Sequence, residues 1–271
     1  ETLETLVHGL SKLEYRGYDS AGVALTGTGQ NVDITKCAGE IDELRGALET
    51  PAPDGEVGIG HTRWSTHGPP TDENAHPHQD CTGDVAVVHN GIIENYQTLR
   101  DELSTSGHTF RSDTDTEVVP HLIEDALDAG LDPEAAFRKA LSRVEGSFAI
   151  AAVLAGEDTI FAARHDSPLV LGLDEDAYYL ASDVPAFRDF TDRVIYLADG
   201  EFARLDSEGW TVTDGDGEVV EKTVDTVDWD PEDAGKSGYD HFMLKEIHEQ
   251  PRALRQCLRG RVDELAGEVD I

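Results

Sequence analysis

Three short stretches carry residue types suited to polar chemistry. His61-Thr-Arg-Trp-Ser-Thr-His-Gly68 offers Arg63, whose planar guanidinium forks onto a carboxylate, beside Trp64, an indole able to shield such a pair from water. Pairing of Arg63 with a structural aspartate is an equally good reading. Val87-Val-His-Asn-Gly-Ile-Ile-Glu-Asn95 offers Asn90 and Gly91, a side-chain amide and an approachable backbone N–H suited to a developing oxyanion. A type I′ turn also favours Asn-Gly, and on the dipeptide alone the turn is the better reading. Ser112-Asp-Thr-Asp-Thr-Glu117 precedes a helical pattern. Its Asp115 is either a carboxylate waiting for an ammonium group or one of four candidate helix caps, with Ser112, Asp113 and Thr114.

His61, His67, His76 and His78 crowd one loop region, but His76-Pro-His78 does not match a usual ligand spacing and Pro77 restricts the pair. No metal is expected. There is no G-x-G-x-x-G and no phosphate-binding loop, so no nucleotide or other cofactor is expected either.

Each of these stretches needs an element to hold it. Apolar runs at Val57 to Ile59 and Val85 to Val88 read as buried strands, each turning polar at a Gly-containing turn. Leu3, Leu6, Val7, Leu10 and Leu13 recur at helical spacing, so residues 1–15 read as an amphipathic helix. After a turn at Tyr18 to Gly22, Val23 to Thr26 and Val32 to Cys37 read as a β-hairpin, and Glu40 to Leu48 as a short helix. Helices follow at about Tyr96 to Leu103, Glu117 to Ala129 and Pro133 to Val144, the last with Asp132 as cap and Pro133 in its first position. Phe148 to Leu154, Thr159 to Ala163, Leu169 to Leu173 and Tyr178 to Ala181 are short apolar strands. Val194 to Leu197 and Glu201 to Leu205 flank Asp199-Gly200, a strong hairpin signal. Strands at both ends with helices between imply antiparallel sheets covered by helices, a layered α/β or α+β domain. Residues 225–240, acidic and poor in periodicity, read as a linker, and helical character resumes at Met243.

The charge is unusual: 56 acidic residues against 21 basic give −35 over 271 residues. The acids are spread along the chain, which fits a surface adapted to molar salt, where screening over a few ångströms removes self-repulsion. The same charge argues against nucleic acid and anionic membranes as partners. Three cysteines without C-x-x-C spacing and no transmembrane-length or signal segment lead to a cytoplasmic expectation.

An arginine for a carboxylate, an aspartate for an ammonium and an Asn/Gly donor pair together describe a receptor for an α-amino acid attacked at its distal amide, which is L-glutamine. Five ordered motifs carry a resemblance to the glutaminase (class-II glutamine amidotransferase) domain of the glutamine–fructose-6-phosphate aminotransferase (isomerizing) family. They are Leu13-Glu-Tyr-Arg-Gly-Tyr-Asp-Ser-Ala-Gly22, the Arg63 and Asn90 stretches, Thr114-Asp-Thr-Glu-Val118, and the junction Lys236-Ser-Gly-Tyr-Asp-His-Phe-Met-Leu-Lys-Glu-Ile-His-Glu-Gln-Pro251. The resemblance implies an α+β N-terminal-nucleophile hydrolase fold, a four-layer αββα sandwich of two antiparallel sheets. It implies a glutaminase domain over residues 1–224, the linker 225–240, and a junction helix with the start of a sugar-isomerase half over 241–271.

Carried over residue by residue, it implies Arg63 as the carboxylate clamp, Trp64 as a lid residue, Thr66 and His67 in the same pocket, and Asn90 and Gly91 as the oxyanion hole. Asp115 becomes the ammonium partner and Arg16 a neighbour of the nucleophile. That nucleophile would be an N-terminal cysteine whose thiol attacks while its own α-amine moves the proton, about ten residues ahead of Glu1. Cys37, Cys81 and Cys257 are internal and do not replace it, so the chain as written is expected to bind glutamine weakly and not to hydrolyse it. Fructose 6-phosphate would meet only the isomerase half, and a homodimer is expected of the full-length protein. Two rivals are a non-enzymatic glutamine-binding or regulatory homologue and another class-II amidotransferase, such as the purine-pathway enzyme, whose motifs typically carry Tyr in place of Trp64.

Overall fold

Helical and strand periods in the sequence resolve, in the computed structural model, into elements described over residues 2–26, 31–48, 55–175 and 177–228, with short stretches between residues 243 and 269. In chain order they begin with α1 (Thr2–Leu13), β1 (Ser20–Thr26), β2 (Asp33–Ala38), α2 (Ile41–Ala47), β3 (Val57–Arg63), β4 (His78–Gln79) and β5 (Val85–Ile93). Three helices follow, α3 (Tyr96–Ser106), α4 (Val118–Asp128) and α5 (Pro133–Leu141). The remaining strands of this unit are β6 (Gly146–Leu154), β7 (Thr159–His165), β8 (Val170–Leu173), β9 (Tyr178–Ala181), β10 (Arg193–Tyr196), β11 (Phe202–Asp206), β12 (Gly209–Thr213) and β13 (Asp225–Thr226).

Side-chain alternation along β5 and β6 explains the layering. Val85, Val87, Ile150, Ala152 and Leu154 face a core built with Leu103 of α3, Val119 and Ile123 of α4 and Phe137 of α5. Their neighbours Ala86, Val88, Ala149, Ala151 and Val153 face a second core shared with Ala24, Ile59, Leu171 and Ile195. A third core joins Leu3, Val7 and Leu10 of α1 and Ile41 and Leu44 of α2 to Val23 and Leu25 of β1. The layers are therefore helix, sheet, sheet, helix. One sheet has the order β12-β11-β7-β6-β5-β4, and facing it lie β2-β1-β3 and β13-β10-β8-β9. Every pairing between these strands is antiparallel. This is the four-layer α+β sandwich of an N-terminal-nucleophile hydrolase fold.

Three local expectations are corrected. Arg63 and the Asn90-Gly91 pair do not follow their strands but lie within them: β3 continues through Arg63, and β5 runs to Ile93 with Asn90 opposite Ala149 and Gly91 opposite Phe148. The Asn-Gly pair is no turn, because the long partner strand β6 carries the ladder past it. Asp199-Gly200 does turn the chain, with Gly200 at φ +79°, but it joins strands of different sheets: β10 pairs with β8, and β11 with β7. Asp199 accepts from Arg164 Nη2 (2.6 Å) and from the Asp166 N–H (3.0 Å), which ties the turn to the end of β7 instead of closing a hairpin. None of Ser112, Asp113, Thr114 and Asp115 caps α4, whose N-cap is Glu117, with no capping side chain. At α5 the cap is as expected, Asp132 accepting from the Ala135 N–H at 3.0 Å.

The backbone falls into two compact units, Glu1–Val227 and Asp228–Ile271. Within the second, Met243, Leu244, Ile247, His248, Gln250 and Pro251 have helical backbone. Much of the linker and junction, residues 229–242 and Cys257 among them, lies outside the described residues. No helix among the described residues is long and apolar enough to cross a membrane.

Candidate active site

Where β3 and β5 of the facing sheets approach, a cavity of about 980 Å³ opens. Arg16, Arg63, Trp64, Thr66, His67, Asn90, Gly91 and Asp115 all line it, so residues up to 99 positions apart meet in one site. Among the described residues β3 and β9 each pair on one side only. The cavity follows those two free edges, from Glu56 to Trp64 and from Ala177 to Ser182.

Asn90 is held by a residue the sequence reading left without a role. His61 Nε2 lies 2.9 Å from Asn90 Oδ1. Burial, the dominant effect, pushes His61 down to about 4, so the ring is neutral at ordinary pH and donates its one N–H to the Asn90 carbonyl. The Asn90 NH2 is thereby left as the free, donating end. The signal was present in the sequence, since His61 lies two positions before Arg63 on the same face of a strand. Gly91 has φ +132°, and a Cβ there would lie 2.0 Å from the Ser147 carbonyl oxygen, so no other residue fits at that point of β5.

Asp115 is 4% exposed. Its Oδ2 accepts the Ile93 N–H at 2.8 Å, and Oδ1 lies 3.8 Å from His67 Nδ1. The loop that presents it is organised by Glu117, which accepts from the Arg111 N–H (2.7 Å), the Ser112 N–H (2.7 Å) and the Ser112 hydroxyl (2.6 Å). Burial raises the Glu117 carboxyl, but His121 and these donors outweigh it and hold it down to about 2. Glu117→Gln exchanges an ionised acceptor for a neutral one. It is expected to cost about 2 kcal/mol of stability in denaturant unfolding, and a loss within error of zero would remove Glu117 from this role.

Arg63 is buried, and burial lowers its pKa while Asp19 and Asp115 oppose the shift. Its Nη2 donates to the carbonyls of His67 and Gly68 (3.3 Å for Gly68), and Nη1 to that of Pro69 (3.4 Å). In this arrangement the guanidinium fork holds its own loop together. Asp19 accepts from the Ser65 N–H and hydroxyl and fixes the other side of the same turn. Trp64 is 59% exposed and rests edge-on against Tyr18. Thr66 and His67 stand at the wall, the His67 ring edge-on to Tyr96. Arg16, at the rim, reaches Asp183 at 3.5 Å. His61 and His76, which both line the cavity, stack at 4.3 Å, and His76 meets His78 behind them edge-on at 4.6 Å. Burial drives His76 and His78 well below the ordinary histidine range, so both are neutral. Cys37 and Cys81, the described cysteines, do not line the cavity.

The site thus offers a buried carboxylate, an oriented amide NH2, a guanidinium and a polar loop around one concave space. Comparison with known proteins adds a family. Residues 61–189 match the glutamine amidotransferase domain family. Relatives named glutamine–fructose-6-phosphate aminotransferase [isomerizing] are 55% identical in Halobacterium salinarum, over 98% of this chain and 43% of the relative. The corresponding figures are 54%, 95% and 43% in Thermococcus kodakarensis. The chain spans less than half the length of these relatives. Among solved structures, the glutamine phosphoribosylpyrophosphate amidotransferase of B. subtilis superposes with a TM-score of 0.67 at 27% identity, covering 80% of this chain and 47% of that one.

Proposed function

Because this chain belongs to the glutamine amidotransferase domain family, we propose that its cavity binds L-glutamine and serves as the glutaminase half of an enzyme making glucosamine 6-phosphate. The observation that carries the reading is the convergence of Asp115, Asn90 and Gly91 on one cavity. Asp115 takes the α-ammonium. Arg63 supplies positive charge for the α-carboxylate and keeps the 64–69 loop, with Thr66 and His67, against the substrate. Asn90 and Gly91 face the γ-carbonyl, where negative charge develops when a thiolate adds to it.

The attacking thiol belongs, in this reading, to an extended segment seated between the free edges of β3 and β9, where main-chain pairing on both sides would fix it beside Asn90. Attack expels ammonia and leaves a γ-glutamyl thioester, and water then releases glutamate. Ammonia passes to fructose 6-phosphate in an adjoining isomerase half, in a homodimer of the full-length protein. The identities of 54–55% with aminotransferases, against 27% with the phosphoribosylpyrophosphate enzyme, favour this acceptor.

The test is an assay of the product of the complete gene in molar KCl. Glucosamine 6-phosphate is expected only when L-glutamine and fructose 6-phosphate are both supplied, with one glutamate per sugar. Glutamine binding without turnover would instead favour the regulatory homologue.

A further inference from the structure

Away from the cavity, four side chains distant in sequence converge: Cys81 in the turn between β4 and β5, His108 just past the end of α3, and His121 and Glu124 one turn apart on α4. Their ligand atoms all lie within 4.8 Å of one another. Cys81 Sγ is 3.5 Å from His108 Nδ1 and 3.6 Å from His121 Nδ1, and Glu124 Oε2 is 3.0 Å and 3.2 Å from the same two nitrogens. We propose that Cys81, His108, His121 and Glu124 bind a structural zinc ion.

The spacing is that of a coordination shell. With Zn–S near 2.3 Å and Zn–N or Zn–O near 2.0–2.1 Å, a tetrahedron has S–N edges of roughly 3.5 Å and N–O edges of roughly 3.3 Å. The four S–N and N–O separations given above are within a few tenths of an ångström of these, and the two remaining pairs lie within 4.8 Å. The donor set is one zinc accepts, and its charges balance: a thiolate and a carboxylate offset the two charges of the ion, with both imidazoles neutral. Binding releases the Cys81 thiol proton to solvent.

The outer contacts fit the same centre. His108 Nε2 lies 2.8 Å from Asp125 Oδ1. An Nε2–H donated to that carboxylate leaves the Nδ1 lone pair facing inward, the arrangement in which metal-bound histidines are held. His121 Nε2 faces outward to Glu117 Oε1 at 3.9 Å and has no hydrogen-bond partner. Four protein ligands leave no open position, which makes the site structural and not catalytic. It staples the turn leading into β5, the strand of Asn90, to the helix that follows Asp115.

Sequence spacing hides this site, because Cys81 and Glu124 are 43 positions apart. Purified full-length protein is expected to carry one zinc per chain by mass spectrometry. The zinc-depleted protein, given Co2+, should show the intense visible bands of tetrahedral cobalt and a thiolate charge-transfer band, both lost in Cys81→Ser. Asp125→Asn keeps all four ligands and should weaken zinc binding roughly tenfold or more. If Cys81→Ser does not fold, alkylation of the wild type decides the matter: zinc should protect Cys81 and leave Cys37 unchanged. Zinc-free protein that gives no cobalt–thiolate band and alkylates Cys81 at the same rate with and without zinc would overturn the assignment, leaving a hydrogen-bonded His–carboxylate cluster.

Discussion

Asn90→Ala is expected to lower kcat for glutamine hydrolysis by roughly 10²–10³-fold, with KM changed much less. The reason is that the amide NH2 meets a charge that exists only as the thiolate adds, so its loss is felt in the transition state and little in the ground state. The His61 contact makes the prediction sharper. The neutral His61 ring donates to Asn90 Oδ1 at 2.9 Å and so decides which end of the amide faces the cavity. His61→Ala should therefore reproduce part of the kcat loss without touching the substrate, and the double variant should be little worse than Asn90→Ala alone. A large KM change with unaltered kcat would move Asn90 from the oxyanion to ground-state binding.

Asp115→Asn should act on the other side of the balance. The replacement keeps a carbonyl for the Ile93 N–H, bound now at 2.8 Å, so the fold is expected to survive. What disappears is the negative charge facing an ammonium in a buried site. Glutamine binding should weaken by roughly 2 kcal/mol or more, about 30-fold, while kcat at saturation stays within a few-fold. Discrimination gives the cleaner readout: the wild type should prefer glutamine strongly over its analogue lacking the α-amine, and the variant should not. Equal discrimination by both proteins would remove Asp115 from ammonium recognition.

Much of this site was legible in the sequence because its parts are local. Arg63, Trp64, Thr66 and His67 come from one motif, and Asn90 and Gly91 from another. Helix α5 was legible for the same reason, its cap Asp132 and first-turn Pro133 being adjacent. What was not legible depended on partners far along the chain. The preference of Asn-Gly for a turn yields to nine register pairs between β5 and β6. Asp199-Gly200 shows the chemistry of a hairpin, but turn residues do not say which strand claims each arm. The cap expected from among Ser112, Asp113, Thr114 and Asp115 fails because α4 begins only at Val118 and Glu117 sits at its N-cap position, with the Ser112 hydroxyl donating to Glu117 instead. Arg63 shows a subtler gap: its type predicts a fork for a carboxylate, and the structure shows that fork engaged by its own loop.

The acidity is resolved by placement. Among the described residues the buried acids are Asp80, Asp115, Glu117 and Glu201. Each is a hydrogen-bonding hub: Asp80 holds the Gly83 and Val85 N–H groups, and Glu201 pairs with Lys222 at 2.8 Å. The other described acids reach solvent, where high salt would screen their mutual repulsion. The negative surface and the buried carboxylate of Asp115 in the cavity are thus separate features of one composition.

The most direct measurement of the central claim is a titration of 15N-labelled protein with L-glutamine in molar KCl, followed by NMR. The cavity reading predicts saturable binding of one L-glutamine per chain. The largest shifts should fall on the Asn90 side-chain amide and the Gly91 N–H, with D-glutamine far weaker. Shifts that cluster away from β3 and β5, or equal responses to the two enantiomers, would contradict it.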